Sequence, residues 1–188
     1  MLIINGTVHT MEGLTIPGGY VEIRGNKIAG FGPWRSVPSN GGRGVRRPGR
    51  AHPARLCGRH CHLGMFGDAV GVEGDDGNEA TDPCTPHLRA VDAINPMDRC
   101  FQEAREAGVT TVLTGPGSAN PISGQFAAIK TNGRWVDAWC FSAGCMKLAL
   151  GENPKLTYHE RRETPTTRMA TAAVIRENLA KAEEYREK

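Results

Sequence analysis

The 188-residue sequence predicts an α/β fold, and three stretches carry that prediction. The N-terminal residues are rich in β-branched side chains interrupted by glycine, which suits short strands. Residues 95 to 114 read as a helix, one glycine and then a buried strand, and residues 164 to 188 read as a long amphipathic helix. Between the first two stretches lies GRHCHLGMFGD, residues 58 to 68, around which the rest is organised.

Composition narrows the function classes. With 39% hydrophobic and 23% charged residues, the chain suits a globular protein with a core of its own. The formal net charge of +3 is small, and part of it comes from one cluster, Arg43, Arg46, Arg47, Arg50, Arg55 and Arg59, so no nucleic-acid partner is expected. MLIINGTVHT lacks a charged leader region, and no run approaches the ~20 apolar residues of a membrane span, so the expectation is a cytoplasmic protein with no membrane partner. Six cysteines in such a chain read as reduced thiols.

Taken in order, residues 2 to 9 surround an Asn-Gly pair and Tyr20 to Phe31 surround Gly25-Asn26, giving two hairpin-like units in which His9 reads as a surface strand histidine. From Gly32 to Arg59, Gly, Pro and Arg dominate and no periodicity survives, so the segment reads as a loop. The strand that ends in His60-Cys61-His62 follows. Strand side chains alternate with period two, so both imidazoles point to one side and can reach one metal ion. Asp68 to Asp82 form an acidic, Gly-rich loop beside the pair.

Asn95 is the expected cap of the next helix, Pro96 fits its first position, and Met97, Phe101, Ala104 and Ala107 form its apolar stripe before Gly108. Val109 to Thr114 is then a buried strand, which makes this segment the αβ half of a βαβ unit. Gln125 to Lys130 and Trp135-Val136 read as strand or short helix, and Met146 to Leu150 as a further strand. Thr164-Pro165 is the expected start of the last helix, with Met169, Ala172, Ile175, Leu179 and Ala182 apolar and Glu177 to Lys181 as an i,i+4 pair.

Two other uses of the His-rich segment fit less well. Cys57-x-x-x-Cys61-His62 is one residue longer than a haem attachment motif. A structural zinc site from Cys57, His60, Cys61 and His62 has the ligand types, but adjacent residues do not readily converge on one tetrahedron.

The texts HCHLGMFGDAVG, EAGVTTVLTGPGSANPISGQ and MKLALGENPK, set after a small N-terminal β unit, resemble the amidohydrolase superfamily in its imidazolonepropionase-like branch. The resemblance covers residues 1 to 34 and 60 to 188 apart from about 138 to 145. It implies a partial (β/α)8 TIM barrel over residues 57 to 188, preceded by a small N-terminal β-sandwich portion over residues 1 to 56. It also implies one or two divalent metals, zinc foremost, held by His60 and His62 at the end of the first barrel strand. Lys147 resembles the lysine that some members carbamylate to bridge two metals, Glu152 is the competing bridge, and a Lys147 that only forms a salt bridge is the third alternative.

Two departures from the family stand out. The family text before His-x-His is roughly LPGFVDA, whereas here it is AHPARLCGR, with Gly58 in place of the aspartate. Reverse-translating Gly44 to Arg59 one base later permits AFDAQGGHTLPGFVDA, and Trp139 to Ser142, similarly shifted, permits Met-Val-Leu-Gln, so compensated frameshifts over about 35 to 59 and 138 to 145 are the reading of these texts. A complete barrel takes roughly 250 residues, so the family's later histidines and catalytic aspartate are expected outside these 188 residues. His87 and His159 are expected in surface roles, and a second copy of the chain is the expected cover for open strand edges.

The function expected is therefore a metal-dependent amidohydrolase cleaving a C–N bond of a small cyclic or linear amide, with little activity from this chain alone. The alternative is a non-catalytic fragment that keeps only part of the fold.

Overall fold

The computed structural model describes residues 1–36, 44–46, 51–53, 56–67, 71–133 and 140–188. The chain divides into two compact units, Met1–Leu56 and Cys57–Lys188.

The first unit is one mixed sheet among the described residues. β1 (Leu2–His9), β2 (Thr15–Arg24) and β3 (Lys27–Pro33) form an antiparallel meander, while β4 (Gly44–Arg46) and β5 (Ala51–Pro53) each pair parallel with β1. β1 buries alternate residues, with Leu2 and Ile4 packed against Tyr20. The Asn5-Gly6 pair does not make the expected turn. Asn5 takes φ 62°, the register slips between Ile4 and Gly6, and the strand runs through as a bulge. The β2–β3 turn at Gly25-Asn26 forms as expected, with Gly25 at φ 62°. The segment read as a loop supplies β4 and β5, because a strand partner can recruit main-chain groups without any side-chain pattern.

The second unit carries a four-stranded sheet in the order β6 (Leu56–Cys61), β7 (Val109–Thr114), β8 (Ile122–Lys130), β9 (Cys140–Leu148). Gly58 faces Val112, and Gly115 N–H donates to Cys61 C=O, so β6 and β7 run side by side in one direction. β8 is antiparallel to both β7 and β9, which departs from the uniformly parallel βα order expected. Residues 115–121 between β7 and β8 are too few to hold a crossover helix, so the chain must reverse. β6, β7 and β9 consequently all end at one edge.

Helix starts differ from the sequence reading. The helix before β7 is α2 (Arg99–Glu106), capped by Asp98, whose carboxylate accepts from Cys100 N–H at 2.9 Å, while Asn95 closes a preceding turn by accepting from Met97 N–H at 3.0 Å. A short α1 (Ala90–Ala93) precedes it. α3 (Glu152–Arg161) is an addition to the expected elements. It accommodates Pro154 because a proline in the first helical turn forfeits only an N–H that has no intrahelical partner. The last helix, α4 (Arg168–Glu187), is capped by Thr167 accepting from Ala170 N–H at 3.1 Å, and it buries Thr171 and Ile175 while Met169 and Leu179 stay exposed. Glu177 and Lys181 pair at 2.7 Å as expected. Trp135 and Val136 lie outside the described residues.

The core of this unit joins Met65, Ala90, Ile94, Phe101, Val112, Ala127 and Ile129. Among the described residues, no helix is long and apolar enough to cross a membrane.

Candidate functional site

The end of β6 and the end of β9 meet across β7 and β8 at the shared edge of the sheet. His60 and His62 come from the first and Lys147 from the second. The two imidazole centroids lie 5.3 Å apart with their planes at 89°. Lys147 Nζ stands 3.3 Å from His60 Nε2. An ammonium has only donors, so the bond runs from Lys147 to the Nε2 lone pair and leaves the proton of a neutral His60 on Nδ1. His62 Nδ1 lies 2.6 Å from the Gly115 carbonyl, an acceptor, so Nδ1 carries the proton and the Nε2 lone pair of His62 is free to ligate. Both histidines thus keep Nε2 unprotonated, that of His62 open and that of His60 engaged by Lys147.

The segment that presents them is firmly placed. Thr114 Oγ1 donates to Leu63 C=O at 2.9 Å, Met65 N–H donates to His62 C=O at 3.1 Å, and Asn95 N–H donates to Gly64 C=O at 2.8 Å. Gly64, at φ 83°, gives the turn a backbone conformation in which a Cβ would also stand 2.9 Å from Phe101. Phe126, buried on β8, is the floor of the site. Its ring centroid is 5.2 Å from that of His60 and 6.5 Å from that of His62, and Lys147 Nζ is 5.9 Å above it.

Lys147 is only 8% exposed. Burial lowers its pKa from 10.5, and among the described residues no carboxylate pairs with it, so the salt-bridge alternative has no partner there. His60 is likewise held below 6.5, first by burial, then by the charges of Lys147 and His62. Both groups therefore disfavour their charged forms in the fold.

A test of stability follows. Lys147→Met keeps length and apolar contact with Phe126 while removing a buried charge, and is expected to stabilise the fold by about 1 kcal/mol. Because the folded pKa lies below 10.5, the advantage should be full at pH below the lowered value and shrink as pH rises towards 10.5. Thermal melts of both proteins across pH 6 to 11 check it; a gap that widens with pH would contradict the assignment.

Glu152 is exposed in the first turn of α3. It lines a cavity of about 480 Å³ with Ser118, Asn153 and Arg168. Among the described residues, no group of three or more His, Cys, Asp and Glu side chains is placed to hold a metal, so Glu152 does not join the imidazole pair, and the four-residue zinc alternative with Cys57 and Cys61 does not form either. The Cys61 thiol donates to Leu113 C=O at 3.5 Å, and all six cysteines are free. Phe126 and Gly115 are the two residues of this cluster not anticipated from the sequence. The Gly115-Pro116-Gly117 text was the signal available, since a glycine directly after a buried strand marks a close approach.

No protein-family model matches the chain. Amidohydrolase tasK of Hapsidospora irregularis is 35% identical over 147 residues, a span that is 71% of this chain and 15% of that protein. The crystal structure of an amidohydrolase from Thermotoga maritima MSB8 superposes with a TM-score of 0.88 at 37% identity over 99% of this chain. In sequence and fold the chain is similar to the N-terminal portion of amidohydrolases. It spans 48% of the Thermotoga chain. The mixed α/β unit of residues 57 to 188 fits part of an amidohydrolase barrel, with β8 as an antiparallel strand within it. The described residues of the N-terminal unit contribute one five-stranded sheet.

Proposed function

We propose that this chain carries the metal-binding half of a hydrolase active site that cleaves a C–N bond of a small cyclic or linear amide. The observation that supports it is the convergence of His60, His62 and Lys147 at the C-terminal ends of β6 and β9, with both imidazoles keeping Nε2 as the non-protonated nitrogen. Such nitrogens suit zinc, which takes neutral imidazole at about 2.0–2.1 Å. His60 and His62 would hold the ion, and Lys147, buried beside His60, would be the residue to supply a bridging carbamate oxygen if two ions are held; Glu152 is the competing bridge and would have to move to reach them. Two imidazoles are fewer than the three protein ligands of a catalytic zinc, so the reading assigns further ligands to sequence outside these 188 residues.

A divalent ion in that place supplies Lewis acidity, polarising an amide carbonyl and acidifying a water. The chain's own residues do the rest of what is assigned here. Gly115 C=O fixes the proton of His62 on Nδ1, Phe126 excludes water from beneath the imidazoles, and Lys147 accepts or holds a proton at Nζ. In the overall reaction water adds its oxygen to the carbonyl carbon, the C–N bond breaks, and a proton passes to the leaving nitrogen. Little turnover is expected from residues 1 to 188 alone, and a second copy of the chain is proposed to cover the open strand edges.

A second reading has its own support. The Lys147 Nζ hydrogen bond fills the His60 lone pair that a metal would need, so the chain would persist as a non-catalytic piece with a closed His–Lys pair. Metal analysis separates the two. The purified chain is expected to bind zinc at equilibrium more tightly than His60→Ala/His62→Ala, as read by competition with a chelator; equal affinity of both would remove the hydrolase reading.

A further inference from the structure

We propose that Phe126, seated on Gly115, is a positioning residue that holds both imidazoles in their metal-ready tautomer and orientation; the inference rests on the hydrolase reading above. Phe126 touches the site three ways, through His60, His62 and Lys147. It is 3% exposed, so its ring has no solvent into which to retreat.

Gly115 is what admits the ring. A Cβ there would stand 2.4 Å from the Phe126 ring, so any side chain at 115 would evict it. The same glycine ties β6 to β7, its N–H donating to Cys61 C=O at 3.2 Å, and its carbonyl accepts the His62 proton at 2.6 Å. One residue therefore sets strand spacing, the His62 tautomer and the seat of the aromatic floor. The ring completes the arrangement from the opposite side. His60 meets it near edge-on at 73°, and His62 lies tilted to it at 52°. With the imidazoles at 89° to one another and both beside the Phe126 ring, each of the three rings is flanked by the other two. Outer contacts of this kind typically set metal affinity 10- to 100-fold.

The experiment compares wild type, Phe126→Leu and, as a core control far from the imidazoles in contact terms, Ile129→Val, in the full chain. Two quantities are read: zinc affinity by competition with a chromophoric chelator, and the His62 tautomer in metal-free protein by ¹⁵N-detected NMR. For Phe126→Leu zinc affinity is expected to fall about 10-fold, and the His62 Nδ1–H signature to give way to a tautomer mixture, while Ile129→Val leaves both unchanged. Zinc affinity within a factor of two of wild type in folded Phe126→Leu, or an equal loss in Ile129→Val, would overturn the proposal. If wild type binds no zinc, the metal reading fails by itself, and positioning is then decided by NMR: an unaltered Nδ1–H tautomer in Phe126→Leu overturns it. Should Phe126→Leu not fold, Phe126→Met, which keeps bulk without a ring, is read by the same criteria.

Discussion

Replacing Asn120 by alanine is expected to lower the melting temperature by roughly 10 °C. Asn120 is 1% exposed and joins three segments. Its carbonyl oxygen accepts from Tyr158 OH at 2.7 Å, and its amide donates to Thr85 Oγ1 at 3.1 Å and to the Glu79 carbonyl. Thr85 passes the network on to the carbonyls of Ile122 and Ser123 at the start of β8. Alanine would leave the hydroxyl of a Tyr158 that has 0% exposure and the Glu79 carbonyl without partners. Orphaning the buried hydroxyl costs about 1–3 kcal/mol, and with the bonds to Thr85 and to the part-buried Glu79 carbonyl also lost, the total is about 3 kcal/mol. Tyr158→Phe removes one donor only and should cost about 1–2 kcal/mol.

The network also has a pH signature. Burial, with nearby Asp82 adding to it, raises the Tyr158 pKa from 10.0 to about 12. The unfolded hydroxyl ionises first, so stability should be level below pH 10 and fall between pH 10 and 12 in wild type more steeply than in Tyr158→Phe. Thermal melts across this range decide it; an Asn120→Ala melt within 2 °C of wild type would show that the network contributes little.

Gly124→Ala is expected to destabilise by about 3 kcal/mol and to weaken zinc retention as well. Gly124 sits at φ 128°, where an L side chain is strained, and its Cβ would lie 2.6 Å from the Leu88 carbonyl oxygen. That neighbour is backbone, and it already accepts from Gln125 N–H at 2.8 Å, so it cannot swing aside as a side chain would. Gly124 is also the ladder partner of Lys147. Any outward shift of β8 at this point moves Lys147 relative to His60, so stability and metal binding should fall together. A variant that melts like wild type, or that melts lower while retaining zinc unchanged, would uncouple the two.

Several parts of this fold were written in local sequence. Val112 reaches 1% exposure because VTTVLT has no polar residue larger than threonine; of the stripe expected on the preceding helix only Phe101 is buried, while Met97 lies before α2 and is 82% exposed. Glu177 and Lys181 pair at helical spacing without help from elsewhere. The expected turn at Asn5-Gly6 failed for a tertiary reason: β2 pairs along both sides of it, so the dipeptide that favours positive φ was spent on a bulge. α3 is not legible in local sequence because Asn153-Pro154 serves equally to end a strand or to open a helix.

At the site the division is sharper. The sequence by itself determined that His60 and His62 share a side, since that depends only on strand periodicity, and that MKLAL would be a strand bearing Lys147. Only the tertiary structure decided that Lys147 stands 3.3 Å from His60, that Gly115 C=O sets the His62 tautomer, and that Phe126 lies beneath all three groups. These depend on the order in which β6, β7, β8 and β9 line up and on the antiparallel insertion of β8. Strand order is a matter of long-range pairing, and no local pattern of side chains encodes which strand a neighbour will be.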